Sequence, residues 1–175
     1  ISDTQVSLLH GLAFAIFYTL LGIPIASLAD RRNRRNIIAV GVTFWSIATA
    51  ACGLTRNFWQ LFLARIGVGV GEAALSPAAY SMIADSFPPE KLGRALSVYT
   101  LGAIAGIGFA LIIGGAVIGT VMTATDATLP LVGTVRPWQV VFFIVGLPGL
   151  LVALWILTLR EPERRRLPVA GEGSG

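Results

Sequence analysis

The chain is dominated by long apolar stretches without charge. Four stretches of 20 to 31 residues contain no Asp, Glu, Lys or Arg: Thr4–Ala29, Asn36–Thr55, Ala95–Thr125 and Pro137–Leu159. A fifth, Asn57–Ala84, contains only Arg65 and Glu72. Each reaches the roughly 20 residues that a helix needs to cross a bilayer, and backbone in lipid must satisfy its own hydrogen bonds. The pattern predicts an all-α, polytopic membrane protein, a bundle of five transmembrane helices.

Composition excludes the main soluble classes. Only 13% of the 175 residues are charged and 55% are hydrophobic, whereas soluble domains contain about 25% charged residues. The single Cys52 lies within the second stretch, so no internal disulfide can form. No phosphate-binding loop, metal-ligand cluster or nucleophile–base pair is visible. We therefore expect no enzyme activity, no cofactor, no metal and no nucleic-acid partner.

The basic residues predict the orientation in the membrane. Ten of the 13 Lys and Arg fall in alternate connections and in the tail: Arg31, Arg32, Arg34, Arg35, Lys91, Arg94, Arg160, Arg164, Arg165 and Arg166. The other connections contain only Arg56 and Arg136. The positive-inside rule makes the side with ten basic residues cytoplasmic, so Ile1 faces outward.

This orientation also shapes the expected domain organisation. Five spans with an outward N-terminus and no signal peptide indicate that a preceding helix is missing from the chain. We expect residues 1–166 to form a partial six-helix bundle that lacks its first helix. The small, polar segment 167–175 is expected to be a flexible linker or tail.

Arg65 and Glu72 are the charged pair inside the membrane. Such charges cost about 2.5–3.5 kcal/mol each on insertion scales, so function or pairing must retain them. Seven residues make almost two helical turns, which places both on nearly the same face, about 10 Å apart along the axis. Lipid favours a neutral carboxyl and a nearby cation favours an ionised one, so Glu72 is a candidate proton carrier. Alternatively, Arg65 snorkels to the interface and Glu72 is a hydrogen-bonded packing residue.

A second charged group occupies the connection between the first two stretches. Asp30, Arg31, Arg34 and Arg35 lie within six residues, and so short a connection holds opposite charges close together. The alternative is a purely topogenic signal.

At this point the sequence resembles a known family. Ala26–Arg35 (ASLADRRNRR) resembles the signature G-x-L-x-D-R-x-G-R-R between helices two and three of the major facilitator superfamily. Ala26 and Asn33 stand where the family usually has glycine. Leu61–Ala73 (LFLARIGVGVGEA) resembles the helix-four motif, and Ile83–Arg94 (IADSFPPEKLGR) resembles the loop after it. Gly69–Ala78 (GVGEAALSPA) is similar to the Spinster-like branch.

The resemblance implies helices two to six of a twelve-helix protein, in its N-terminal half. It implies that Asp30, Arg31 and Arg34, with Asp85, belong to a cytoplasmic gate charge network that holds two halves together. It implies that Arg65 and Glu72 form a polar pair linked to proton coupling and the substrate cavity.

The resemblance implies a secondary transporter that is coupled to protons. We expect it to move an amphipathic or lipid-like solute, such as a lysolipid or sphingoid-like lipid. Transport would occur by alternating access in the bacterial inner membrane. Its expected partners are this solute, protons, membrane lipids, the missing first helix and a C-terminal half. A multidrug/proton antiporter is the alternative, although Ala110-Leu111 replaces the Gly-Pro pair of that motif. A channel or a non-transporting scaffold is a further alternative, but a channel predicts repeated polar rings rather than one asymmetric pair.

The orientation can be tested by cysteine labelling in intact cells. In a Cys52→Ala background, Arg56→Cys should react with an impermeant maleimide from outside, because the ten-to-two bias places it outward. Lys91→Cys should react only after the cells are opened. Labelling of both positions from one side would contradict the predicted orientation.

Overall fold

The computed structural model describes residues 3–8, 11, 13–121, 123, 127–129 and 133–164. The linker predicted at 167–175 lies outside the described residues. The elements run in this order: α1 (Asp3–Ser7), α2 (Ala13–Arg31), α3 (Arg34–Cys52), α4 (Phe58–Glu72), α5 (Leu75–Ser86), α6 (Pro89–Val121), β1 (Ala127–Leu129), β2 (Gly133–Val135), α7 (Pro137–Gly146) and α8 (Pro148–Ile156).

Five helical segments are long and apolar enough to cross a membrane: Phe14–Arg31, Arg34–Cys52, Phe58–Ser86, Pro89–Val121 and Pro137–Ile156. The predicted all-α bundle and its five spans are therefore confirmed. A short antiparallel hairpin of β1 and β2, in which Thr128 pairs with Thr134, was not predicted. It lies in the connection between α6 and α7, where the sequence has no uncharged run long enough to span.

Two of the five spans are irregular at one point, although their backbone stays right-handed helical there. The third consists of α4 and α5, separated by a turn at Ala73 and Ala74. Pro77 is the third residue of α5. Because proline has no backbone N–H group, it donates no hydrogen bond to the Ala73 carbonyl. The fifth span is divided in the same way at Leu147, directly before Pro148. Pro77 and Pro148 are the sequence signals for these two points, since a helix can bend at a proline, whereas Pro24 lies within the continuous helix α2.

Helix α3 is the centre of the bundle. It packs against α4, α5, α7 and α8, while α2 packs mainly on α4 and α5. At one end Gln139 fixes α7 to the connection after α3: its buried amide N–H group donates to the carbonyls of Gly53 (2.8 Å) and Thr55 (3.0 Å). The opposite end carries the connections predicted to be cytoplasmic, and we call it the cytoplasmic end.

Small side chains form the interior, and large apolar ones cover the outside. The buried apolar residues are mostly alanines, including Ala29, Ala39, Ala74, Ala78 and Ala153. By contrast, Leu20, Ile23 and Leu151 are more than 60% exposed. In lipid no hydrophobic force drives helices together, so close backbone approach between small residues supplies the packing.

Glycine allows the closest of these approaches, between α3 and α4. A Cβ atom at Gly71 would lie 2.7 Å from the Trp45 nitrogen and 2.8 Å from the Gly41 oxygen. Both are backbone atoms, which cannot move away without shifting a helix. The glycines of α6, for example Gly102 and Gly106, have no described atom within 4 Å of such a Cβ. The regularly spaced glycines of α6 therefore do not contact another described element.

We expect Gly71→Ala to lower the free energy of unfolding by about 1–3 kcal/mol, the usual cost of overpacking. Gly102→Ala is the matched control, because its new methyl group meets nothing in the described chain. The measurement is thermal unfolding of the purified protein in detergent, followed by tryptophan fluorescence. Equal melting of both variants and the parent would contradict the close α3–α4 contact.

Candidate functional site

Arg34 is the first residue of α3 and its side chain is only 1% exposed. The helix begins here because the side chain of Asn33 accepts a hydrogen bond from the N–H of Asn36 (2.9 Å) and caps the first turn. Only Arg32 and Asn33 separate α2 from α3. This short connection directs the Arg34 guanidinium into the cytoplasmic end of the bundle.

The buried guanidinium joins three separate parts of the chain. It forms an ion pair with Asp85, near the end of α5, and donates to the hydroxyl of Ser81 (3.0 Å). It also donates to Glu161 Oε1 (2.8 Å) and to the Pro162 carbonyl (3.0 Å), both after α8. We call Arg34, Asp85, Glu161 and Ser81 the Arg34 cluster. A buried charge of this kind is tolerated only when it is paired and hydrogen-bonded.

Glu161 also caps the start of α3. Its two carboxylate oxygens accept the backbone N–H groups of Arg34 (3.2 Å) and Arg35 (2.9 Å). Burial raises the pKa of Glu161, but the hydrogen bonds from Arg35 and Arg34 and the charge of Arg34 outweigh it. The pKa of Glu161 is therefore held below its ordinary value. The positive end of the helix dipole favours the same anion.

The segment after α8 contacts the end of α2 as well. The Arg164 guanidinium donates to the carbonyls of Ala29 (2.8 Å) and Arg32 (2.7 Å). These carbonyls lie at the C-terminal end of a helix, where backbone acceptors lack intrahelical partners and cations are favoured. The segment after α8 thus binds the end of α2 through the Arg164 guanidinium and the start of α3 through the Glu161 carboxylate.

The four residues expected in the cytoplasmic network are divided by the structure. Arg34 and Asp85 are in direct contact. Asp30 and Arg31 are exposed at the end of α2 and form no ion pair with a described residue. Sequence reasoning missed Glu161, because the tail was interpreted only through its basic residues. The acidic residues that flank Pro162 were the available signal.

The membrane pair is also separated. Arg65 is half-buried in α4, and its guanidinium carbon lies 5.5 Å from the centre of the Phe142 ring in α7, a cation–π distance. Glu72 is the last residue of α4, beside the Ala73–Ala74 turn, and is exposed. Among the described residues, its carboxylate has neither an ion-pair nor a hydrogen-bond partner. Arg65 and Glu72 therefore do not pair directly.

The described residues contain no group of three or more His, Cys, Asp or Glu side chains that could hold a metal ion. The polar groups of the site are carboxylates and guanidinium groups, which can exchange protons and form ion pairs. Two polar centres result, one at the cytoplasmic end and one at a helix break inside the membrane.

Removal of the Glu161 charge should destabilise the bundle. We expect Glu161→Gln to lower the free energy of unfolding by about 1.5–3 kcal/mol at neutral pH, as for hydrogen bonds to charged groups. A carboxylate whose pKa is lowered in the folded state stabilises that state at every pH above the ordinary glutamate pKa, about 4.3. This stabilisation is lost as the pH falls through the lowered pKa. The difference from the parent should therefore shrink in acid.

The matched control is Glu163→Gln, which neutralises an exposed carboxylate two residues away. It should leave stability nearly unchanged across the same pH series. A Glu161→Gln protein as stable as the parent at neutral pH would show that the Arg34 cluster does not depend on this carboxylate.

Known proteins resemble this chain over nearly its whole length. A family model described as the Major Facilitator Superfamily matches residues 1–174. A solved bacterial homologue of the human lysosomal transporter Spinster, inward-facing and occupied, is 42% identical, with a TM-score of 0.83 over 94% of this chain and 38% of that chain. An MFS-type efflux pump of Mycolicibacterium smegmatis is 31% identical over 97% of this chain and 36% of its own length.

A probable sphingolipid transporter, spinster homolog 2 of Arabidopsis thaliana, is 33% identical over 71% of this chain and 23% of its own length. The chain spans about a fifth to two fifths of the length of the proteins that it matches. The resemblance to the Spinster-like branch is confirmed.

Proposed function

The chain belongs to the Major Facilitator Superfamily, and from this premise we propose that the whole protein is a proton-coupled secondary transporter working by alternating access. The observation that carries the proposal is the Glu72 carboxylate, which has no described partner and ends α4 at a break in the middle of a membrane span. A carboxyl without a fixed partner can change its protonation state as its surroundings change.

The proposed proton site consists of Glu72, with Arg65 as its modulator. When the surroundings of Glu72 are dry, the neutral acid is favoured; when water or a cation approaches, the ionised form is favoured. Arg65 lies about two turns away on the same helix and contacts the Phe142 ring instead. A rearrangement that frees Arg65 from this ring would let its charge act on Glu72 and promote proton release.

The proposed cytoplasmic gate comprises Asp30, Arg31, Arg34 and Asp85, now joined by Glu161. Arg34 is already occupied by partners within the chain, so it serves to hold the ends of α3 and α5 together. Asp30 and Arg31 have no described ion-pair partner, and these are the charges available to the other half of the transporter. A transporter prefers one conformation only through contacts that form in that conformation and not in the other. We therefore assign the contact that depends on conformation to Asp30 and Arg31.

The proposed substrate is an amphipathic or lipid-like solute, such as a lysolipid or sphingoid-like lipid, moved across the bacterial inner membrane. The likeness to a probable sphingolipid transporter supports this class. The second candidate is a drug/proton antiporter, favoured by the likeness to an MFS-type efflux pump. Proton-driven uptake by the full-length protein in liposomes, compared for lysolipids, sphingoid bases and cationic drugs, distinguishes the two.

Glu72→Gln should abolish accumulation against a gradient, because the amide permanently mimics the protonated acid. Downhill exchange should remain, since shape and hydrogen-bonding capacity are preserved. Arg65→Ala should keep some accumulation, with a shifted pH profile. The measurement is uptake into liposomes with an imposed proton gradient across a pH series.

The matched control is Glu90→Gln, which removes an exposed carboxylate at the start of α6, outside the proposed proton site. It should accumulate substrate as the parent does. If Glu72→Gln also matches the parent at every pH, Glu72 is a packing residue and the proposed proton site is wrong.

A further inference from the structure

An apolar groove opens between α2 and α3 at the cytoplasmic end. We call it the cytoplasmic groove, and its volume is about 730 Å³. Its walls include Leu28 of α2 with Val40 and Phe44 of α3, and its floor includes Val70 and Ala74. The three wall residues are between 47% and 69% exposed. These large apolar side chains therefore surround an open space rather than pack against one another.

The groove results from the way the helices pack. Both α2 and α3 pack closely on α4 but touch each other little. Glycine at positions 41 and 71 lets α4 approach the backbone of α3, which places the floor deep behind the walls. From Asn36 to Phe44 the groove follows α3 over nine residues, about 12 Å of helix. A groove of this length runs from the end of the span into its apolar part.

The rim of the groove offers hydrogen-bond donors. Arg32, Asn33 and Asn36 line it at the cytoplasmic end. The side-chain oxygen of Asn33 accepts from the Asn36 N–H, and that of Asn36 accepts from the guanidinium of Arg35 (3.2 and 3.1 Å). The acceptors are used, which leaves the two amide NH₂ groups for a ligand. The exposed Arg32 side chain has no hydrogen-bond or ion-pair partner among the described residues.

Charge gives the rim a preference for anions. The connection contains four arginines and one aspartate, Asp30. Arg34 is neutralised by Asp85 and Glu161, but Arg31, Arg32 and Arg35 have no described ion-pair partner. Each basic residue near an anionic leaflet contributes about 1 kcal/mol of attraction. A donor-rich, positive rim above an apolar groove matches a ligand with a negative head and a hydrocarbon tail.

We propose that the cytoplasmic groove binds an anionic glycerophospholipid of the cytoplasmic leaflet. One acyl chain lies along Val40 and Phe44, and the phosphate accepts hydrogen bonds from Arg32 and from the amides of Asn33 and Asn36. This lipid is a bound partner of the α2–α3 surface and not the transported solute, so the proposal does not depend on the transport mechanism. By joining α2 to α3, the lipid adds to the few direct contacts between these helices.

The proposal can be tested by native mass spectrometry of the full-length protein with added phosphatidylglycerol or phosphatidylcholine. Arg32→Gln should weaken phosphatidylglycerol binding at least fivefold and phosphatidylcholine binding less, because the choline cation offsets the charge of the shared phosphate group. Val40→Trp should fill the groove and weaken binding of both lipids. The controls are Arg31→Gln, which removes one charge from the same connection outside the groove, and Leu151→Trp, which enlarges an exposed residue of α8. Leu151→Trp should bind phosphatidylglycerol as the parent does, and Arg31→Gln should weaken binding less than Arg32→Gln, because it removes only the general attraction of one surface charge.

A crosslinking experiment identifies the occupant independently of the variants' stability. Benzoylphenylalanine at position 40, activated in native membranes, should capture a phospholipid of anionic headgroup. Capture of another segment of the same polypeptide, or of a second copy, would overturn the proposal. It would also be overturned if Arg32→Gln and Arg31→Gln weakened phosphatidylglycerol binding equally, since the groove would then add nothing to general surface charge.

Discussion

The burial of the Arg34 charge governs how the cytoplasmic end is assembled. A desolvated guanidinium costs several kcal/mol unless carboxylates and hydrogen-bond acceptors surround it. Here two carboxylates come from two different segments, Asp85 of α5 and Glu161 after α8. Neither alone satisfies the five N–H donors of arginine. The ends of α3, α5 and α8 must therefore meet at one point, and the contacts of Arg164 with α2 add a fourth element.

Away from this polar point, the bundle is held together by close backbone packing. The α3–α4 contact at Gly41 and Gly71 and the alanine-rich interior leave no room for larger side chains. Dispersion forces between closely spaced backbones replace the hydrophobic force that lipid removes. The same glycines that bring α4 close to α3 also leave the space between α2 and α3 open. Tight packing of α4 on α3 thus forms the floor of the cytoplasmic groove.

The spans were predictable because lipid imposes one rule, a long uncharged helix, on every residue within it. The irregular points at Ala73–Ala74 and at Leu147 lie beside Pro77 and Pro148, where a helix was expected to be able to bend, but Pro24 lies within the continuous helix α2, so a proline alone does not predict such a point. Contact between Arg34 and Asp85 was expected from the family signature. Glu161 was missed because 127 residues separate it from Arg34, and no local spacing reveals such a contact. Spacing placed Arg65 and Glu72 on one face, but it could not show that Arg65 contacts an aromatic ring of another helix.

The irregular point between α4 and α5 allows α5 to tilt relative to α4 within the third span. Pro77 has no N–H group to donate to the Ala73 carbonyl, so bending there breaks fewer hydrogen bonds than bending elsewhere. Leu75 to Asp85 covers about 15 Å of helix, so a tilt of roughly 10° would displace the Asp85 end by nearly 3 Å. That displacement is enough to separate an ion pair. Glu72 lies beside the pivot and Asp85 near the far end of α5, so a change of angle at the pivot moves Asp85 relative to Arg34.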